Sequence, residues 1–171
     1  DAIKGQSWNV HGGGFYLMQK YVVAPEQMPE ELHWFKWEAY FTWISGFALM
    51  TIIYYWGAES FLIDREVLDL QPWQAIAISV GIFIAGWIIY DQLCKSRLGN
   101  NGLALSVVVF LLILAAAYGF TNVFSGRGAF VHVGATIGTI MVANVFFIII
   151  PNQKIVVADL ITRRTPEARL G

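Results

Sequence analysis

Four apolar stretches of bilayer length govern what this chain can become. They run over 37–57, 73–93, 103–122 and 129–150, the last stopped by Pro151. Each is close to the ~20 residues an α-helix needs to cross ~30 Å of hydrocarbon. None alternates with the period of two that marks a barrel strand, so helices are predicted. Too little polar matter remains to cover a soluble globule. Only 13% of the 171 residues are charged, against 57% hydrophobic and 15% aromatic, whereas a soluble domain carries about 25% charged residues. A mean hydropathy of +0.56 points the same way. A net charge of −1 with no basic patch excludes a nucleic-acid partner. The single cysteine, Cys94, permits no internal disulfide and no CxxCH haem-c attachment site. The expected fold class is all-α: an integral membrane helical bundle with four transmembrane helices.

Loop cations set the expected orientation. Lys4, Lys20, Lys36, Lys95, Arg97, Lys154, Arg163, Arg164 and Arg169 fall on one side of the four-span topology. The opposite side holds Arg65 and Arg127, beside Glu59, Asp64, Glu66 and Asp69. Positive-inside logic puts both ends of this chain in the cytoplasm, and the 58–72 loop and the 123–128 turn outside. Aromatic belts agree. Trp34, Phe35 and Trp37 lie at one end of the first span and Tyr54, Tyr55 and Trp56 at the other, while Trp73 opens the second and Tyr90 closes it. Ala77, Gly81 and Ala85 form a small-residue stripe on the second helix, and Gly134 and Gly138 form another on the fourth. Such stripes suit close helix packing in lipid.

Segment 1–36 mixes charge, glycine, proline and aromatics, and reads as a cytoplasmic or interfacial segment. Its amphipathic piece, Phe15–Val23, is expected to lie in the interface. Residues 151–171 form a basic cytoplasmic tail. The chain has no signal-peptide pattern and starts at Asp1, so it reads as part of a longer product.

His132 is the most informative intramembrane residue. It lies one turn inside the outer end of the fourth helix, and Thr136, Thr139 and Ala143 continue its stripe. An ionisable group in lipid is expensive and by default faces the bundle interior. A neutral imidazole there suits axial ligation of haem iron or a proton relay; a hydrogen bond to a neighbouring helix or to interfacial water accounts for it equally. Asn144 reads as interhelical glue. His11-Gly12-Gly13-Gly14 matches the esterase oxyanion motif, but no GxSxG elbow accompanies it. What survives is a triple glycine whose amides suit an anionic or imide-like ligand, or a turn before an interfacial helix. Lys36, Trp37, Glu38 and Tyr40 put charge beside indole at the cytoplasmic mouth. That arrangement suits a planar heterocycle, or a belt with a snorkelling lysine. Asp91 joins this mouth or marks the membrane boundary. Arg127 is exterior and is either a solvated arginine or the contact for an acidic partner. No Cys/His metal spacing, Walker loop, dinucleotide fingerprint or HExxH occurs.

The strings VHGGGFY, PEELHWFKWEAYFTWISG, FLID, IIYDQLC and FSGRGAFVHVGATIGTIMVANVFFIIIPNQK resemble the membrane domain of the bacterial cytochrome-c-linked urate oxidases, nearly end to end. The resemblance implies helices before and after this piece, in a bundle of about eight, with a C-terminal cytochrome c domain that carries haem c. It also implies a bacterial inner-membrane location and oxidation of urate to 5-hydroxyisourate, with electrons passed to cytochrome c. On that reading His11, Gly12, Gly13, Gly14, Tyr16, Lys36, Trp37 and Glu38 are the substrate-binding candidates, and Arg127 faces the partner. Haem b in the bundle is a further expectation, with His132 as one ligand and the other on a helix outside this chain. Membrane lipid, cytochrome c, urate and further membrane helices are the expected partners. The alternative is a non-catalytic accessory or anchor subunit of a respiratory or photosynthetic electron-transfer complex. A transporter of urate-like solutes is a third reading, without specific support from the spans.

Overall fold

A computed structural model describes residues 3–27 and 35–167. Trp34, expected in the aromatic belt, and Arg169, among the cytoplasmic cations, lie outside the described residues.

The all-α expectation is corrected at the start of the chain. Strand β1 (Ile3–His11) pairs antiparallel with β2 (Gly14–Tyr21) in a two-stranded sheet. The predicted interfacial helix over Phe15–Val23 is therefore mostly a strand. The reason is local. Gly12 and Gly13 sit at φ +56° and +79°, the left-handed pair that a two-residue type I′ hairpin turn demands and glycine supplies without steric cost. With that turn fixed, His11 faces Gly14, Asn9 faces Tyr16 and Trp8 faces Leu17. Period-two alternation then sorts the side chains. Trp8, Val10, Phe15 and Leu17 fall on one face, and Ser7, Asn9, His11, Tyr16 and Met18 on the other.

The helical part begins with α1 (Lys36–Met50), which runs into a π-helical turn over Thr51–Trp56, followed by the short α2 (Ala58–Phe61). Then come α3 (Pro72–Lys95), α4 (Gly102–Thr121), α5 (Gly126–Asn144), a second π-helical turn over Val145–Ile149, and α6 (Ile150–Ile161). Start signals are explicit. Pro72 sits in the first turn of α3, and Gln71 and Gln74 form a reciprocal capping box. Asn101 accepts from the Ala104 amide at 3.1 Å to cap α4, and Ser125 accepts from the Gly128 amide at 3.0 Å to cap α5.

Among the described residues, three helices are long and apolar enough to cross a membrane: α3, α4 and the unbroken helical run Gly126–Ile161 of 36 residues. The chain is thus built as a membrane protein, with three spans by length where four were expected. The shortfall is the first stretch, where α1 has 15 residues before its geometry changes to the π turn. Pro151 does not stop the last helix. It occupies the first turn of α6, where a missing N–H is tolerated, directly after a π turn that has already rearranged the hydrogen-bond ladder.

Lys36–Val145 form one compact unit, and the hairpin with the segment from Phe146 onward forms another. In the second unit the Ala24 amide donates to the Leu160 carbonyl at 3.2 Å and Arg163 meets Glu26 at 3.4 Å. In the first unit α5 packs on α1, α3 and α4. Its core, with Tyr54, Leu62, Ala75, Phe83, Phe120, Phe124 and Ala129, gathers where the π turn, α2, the start of α3, the end of α4 and the start of α5 meet. Outward positions such as Leu103, Phe110, Leu111 and Tyr118 are exposed and apolar, as a lipid-facing helix requires. The stripe Ala77, Gly81 and Ala85 is also exposed and is not the packing seam. Close approach occurs instead at Gly86, where a Cβ would lie 3.2 Å from Thr136 Cγ2. Gly134 and Gly138 likewise meet nothing within 4 Å. They line, with Gly46, Trp43 and Thr139, an apolar groove of about 830 Å³ between α1 and α5.

Candidate functional site

His132 is completely buried, and both ring nitrogens are engaged. Nδ1 lies 2.7 Å from the Gly128 carbonyl oxygen, which can only accept, so Nδ1 carries the proton of the neutral ring. Nε2 is then the acceptor, and Ser79 Oγ–H donates to it at 2.6 Å. Ser79, also fully buried, accepts in turn from the Tyr55 hydroxyl at 2.7 Å. The chain Tyr55–Ser79–His132–Gly128 thus links the π turn, α3 and α5 through three short hydrogen bonds.

Aromatic rings enclose the imidazole. Phe83 stacks on it at 5.6 Å with 14° between planes, and Phe124 tilts against it at 4.6 Å. Tyr54 and Phe120 present edges at 6.3 and 6.1 Å. Consecutive residues of an α-helix diverge by about 100°, yet Tyr54 touches the ring and Tyr55 reaches its hydrogen-bond chain. Both belong to the π turn, a geometry that recurs at functional sites.

This environment does not fit haem ligation. An axial ligand needs a free imidazole nitrogen aimed at open space, and His132 has both nitrogens bonded and a phenyl ring against its face. In this arrangement the His132 ring is the end point of a hydrogen-bond chain. Reasoning from sequence missed Ser79 and Tyr55. Spacing held a signal for Ser79, which lies with Ala75, Phe83 and Gly86 on the inward face of α3. Tyr55 was legible only as belt.

The rest of the His132 stripe divides its work. Thr136 donates to the His132 carbonyl at 2.7 Å within its own helix. Thr139 accepts from Trp43 Nε1 at 3.2 Å and ties α5 to α1. Asn144 donates to Ile140 O at 3.1 Å inside α5, so it is not the interhelical glue expected. Asp91 is buried and bonded to Lys95 at 2.6 Å.

The triple glycine is explained by the hairpin. Gly12 and Gly13 are the turn, and Gly14 closes it opposite His11. Gly14 is also the floor under Tyr16, whose ring atoms would lie 3.2–3.3 Å from a Cβ at that position. His11, Asn9 and Tyr16 consequently share one exposed, polar hairpin face, where imidazole, amide and phenol groups offer donors and acceptors beside an aromatic plane. At the start of α1, Lys36 Nζ sits over the Trp37 ring at 5.2 Å and Trp37 meets Tyr40 edge-on at 5.6 Å. The Glu38 carbonyl accepts from Thr42 at 2.7 Å. Arg127 is exposed, with its guanidinium 5.5 Å from the Phe61 ring centroid.

No curated protein and no solved structure matches this chain. The urate oxidase N-terminal family model does match, over residues 1–171. A match across the whole sequence decides the family, and the chain belongs to the urate oxidase N-terminal family.

Proposed function

We propose that this chain is the membrane part of a urate oxidase: urate and water give 5-hydroxyisourate, two protons and two electrons, and the electrons pass to cytochrome c. The observation that carries the reading is the family match over every residue of a chain whose described residues include three helices long and apolar enough to cross a membrane. The acceptor is the haem c of an associated cytochrome c domain or partner. The proposed urate contacts are His11, Gly12, Gly13, Gly14 and Tyr16 on the hairpin, and Lys36, Trp37 and Glu38 at the start of α1. A urate molecule is planar, with N–H and C=O groups around its rim, and both places pair an aromatic plane with polar groups.

The proposed location is the bacterial inner membrane, with both ends of the chain in the cytoplasm. The cations Lys95, Arg97, Lys154, Arg163 and Arg164 support that orientation, as do the carboxylates Glu59, Asp64, Glu66 and Asp69 on the opposite side. Arg127 then faces the cytochrome side. The first stretch serves as a fourth span when the π turn extends α1 to Trp56. Further helices complete a bundle of about eight, and the α1–α5 groove floored by Gly46, Gly134 and Gly138 supports them, because small residues admit a close backbone in lipid. The test is urate-dependent reduction of cytochrome c by membranes that carry the full-length protein. Reduction above vector membranes is expected. No reduction, with the protein shown to be inserted, refutes the proposal.

A further inference from the structure

The Tyr55–Ser79–His132 chain has a direction. The Gly128 carbonyl holds the ring proton on Nδ1, so Nε2 is the sole basic atom at the inner end. Ser79 has one proton and gives it to Nε2, so towards Tyr55 its oxygen accepts, and the Tyr55 hydroxyl is the outer terminus. Ser79 and His132 have no exposure to solvent. Tyr55 is half-buried, so this end of the chain is the one open to its surroundings.

We propose that these three residues form a one-proton relay, with His132 as an internal acceptor loaded through Tyr55. When an N–H or O–H acid presents a proton to the Tyr55 oxygen, the tyrosine's own proton passes to Ser79 Oγ. The Ser79 proton passes to His132 Nε2. One Tyr O–H and one Ser O–H break and re-form, so both residues end neutral, and the net change is one imidazolium formed and one acid deprotonated. The reverse sequence returns the proton by the same route. Nδ1 is no exit, since its partner is a carbonyl oxygen that cannot take the proton on. The relay therefore stores one proton and does not conduct a stream.

The surroundings of the ring are aromatic. The groups that face it are Tyr54 from the π turn, Ser79 and Phe83 from α3, Phe120 from α4, Phe124 just beyond it, and Gly128 from α5. The titratable groups among these and in the chain are Tyr54 and Tyr55, and no carboxylate or cation is among the ring's contacts in the described residues. The phenyl faces that bar a metal are the ones that hold an imidazolium by cation–π attraction.

The proposal stands apart from the urate reading, because its test uses no substrate. Full-length protein labelled with [¹⁵N]histidine is followed in lipid nanodiscs, with the His132 ring signals assigned by their loss in His132→Gln. As pH falls from 8 to 5, Nε2 is expected to gain a proton while Nδ1 keeps its own. In Tyr55→Phe, a substitution at the half-buried edge that keeps the ring, proton exchange at Nε2 is expected to slow at least ten-fold. Ser79→Ala should give the same loss, and Ser79→Thr, which keeps the hydroxyl, should restore exchange. Should Ser79→Ala fail to fold, Tyr55→Phe carries the test. An Nε2 that stays unprotonated throughout, or equal exchange in wild type and Tyr55→Phe, overturns the relay.

Discussion

Gly128→Ala tests the architecture around His132 by adding a single methyl group. A Cβ at this position would lie 3.1 Å from Ser125 Oγ, 3.3 Å from Leu62 Cδ1 and 3.3 Å from the Leu62 carbonyl oxygen. Neither neighbour is free to retreat. Ser125 Oγ donates to the Phe61 carbonyl at 2.7 Å while it caps α5, and the Leu62 carbonyl holds the Ser125 amide at 2.9 Å. Overpacking of this kind costs about 1–3 kcal/mol. The alanine returns about 0.5–1 kcal/mol of helix propensity, which leaves a net loss of up to about 2.5 kcal/mol. At about 2–4 °C per kcal/mol for a chain of this size, the midpoint drops by up to about 10 °C. Gly119→Ala is the matched control. Its Cβ would meet nothing within 4 Å, so the propensity gain stands alone and the midpoint rises by about 1–4 °C. Thermal unfolding of both variants in one detergent, read by tryptophan fluorescence, makes the comparison. A midpoint that rises in Gly128→Ala as it does in Gly119→Ala would refute the close approach of α5 to the α2 loop.

Further outcomes follow from other parts of the molecule. His132→Gln should leave any haem absorbance of the purified full-length protein unchanged; a displaced Soret band would restore the ligand role. Tyr16→Phe should raise KM for urate about five-fold with kcat nearly constant, the loss of about 1 kcal/mol expected for one hydrogen bond, and an unchanged KM would remove the hairpin face from the substrate site. Cys94, exposed in the last turn of α3 at its expected cytoplasmic end, should react with an impermeant maleimide only after cells are opened. Glu66→Cys in a Cys94→Ser background should react in intact cells, and the opposite pattern would invert the topology. Gly138→Leu should destabilise the full-length protein if a further helix fills the α1–α5 groove, and neutral behaviour would argue for lipid there.

What could be read from the sequence follows the range of the forces involved. Helices α3 and α4 were legible because lipid demands a long uninterrupted apolar run and Gln71, Pro72 and Asn101 mark their starts. Inward placement of His132 followed from the cost of an ionisable group in lipid. Its partners did not, because Ser79 and Tyr55 lie 53 and 77 residues away in the chain, and nothing local records which helix faces which. In the hairpin the signal was present but outweighed. Gly12-Gly13 between alternating runs is a turn signature, yet the aromatic content of Phe15–Val23 reads equally as an interfacial helix. Pro151 misled for a related reason. Proline ends a helix unless the preceding ladder has already shifted, and a π turn leaves no distinctive mark in composition. The small-residue stripes had the right chemistry and the wrong phase, since Gly86 makes the contact that Gly81 was expected to make.

The two-residue turn of the hairpin also has a consequence in time. A β-hairpin closes in about 1–10 μs, whereas a ribosome adds roughly 5–20 residues per second. The 35 residues that separate Tyr21 from the end of the first apolar stretch therefore take on the order of seconds to appear. Strand pairing is settled several orders of magnitude before that helix can enter a membrane. An isolated two-stranded hairpin is only marginally stable in water, so the pairing opens and re-forms many times in that interval. Each closure returns to one register, because Gly12 and Gly13 leave the chain a single way to reverse. The first apolar stretch is thus completed with Trp8, Val10, Phe15 and Leu17 already gathered on one face of the hairpin.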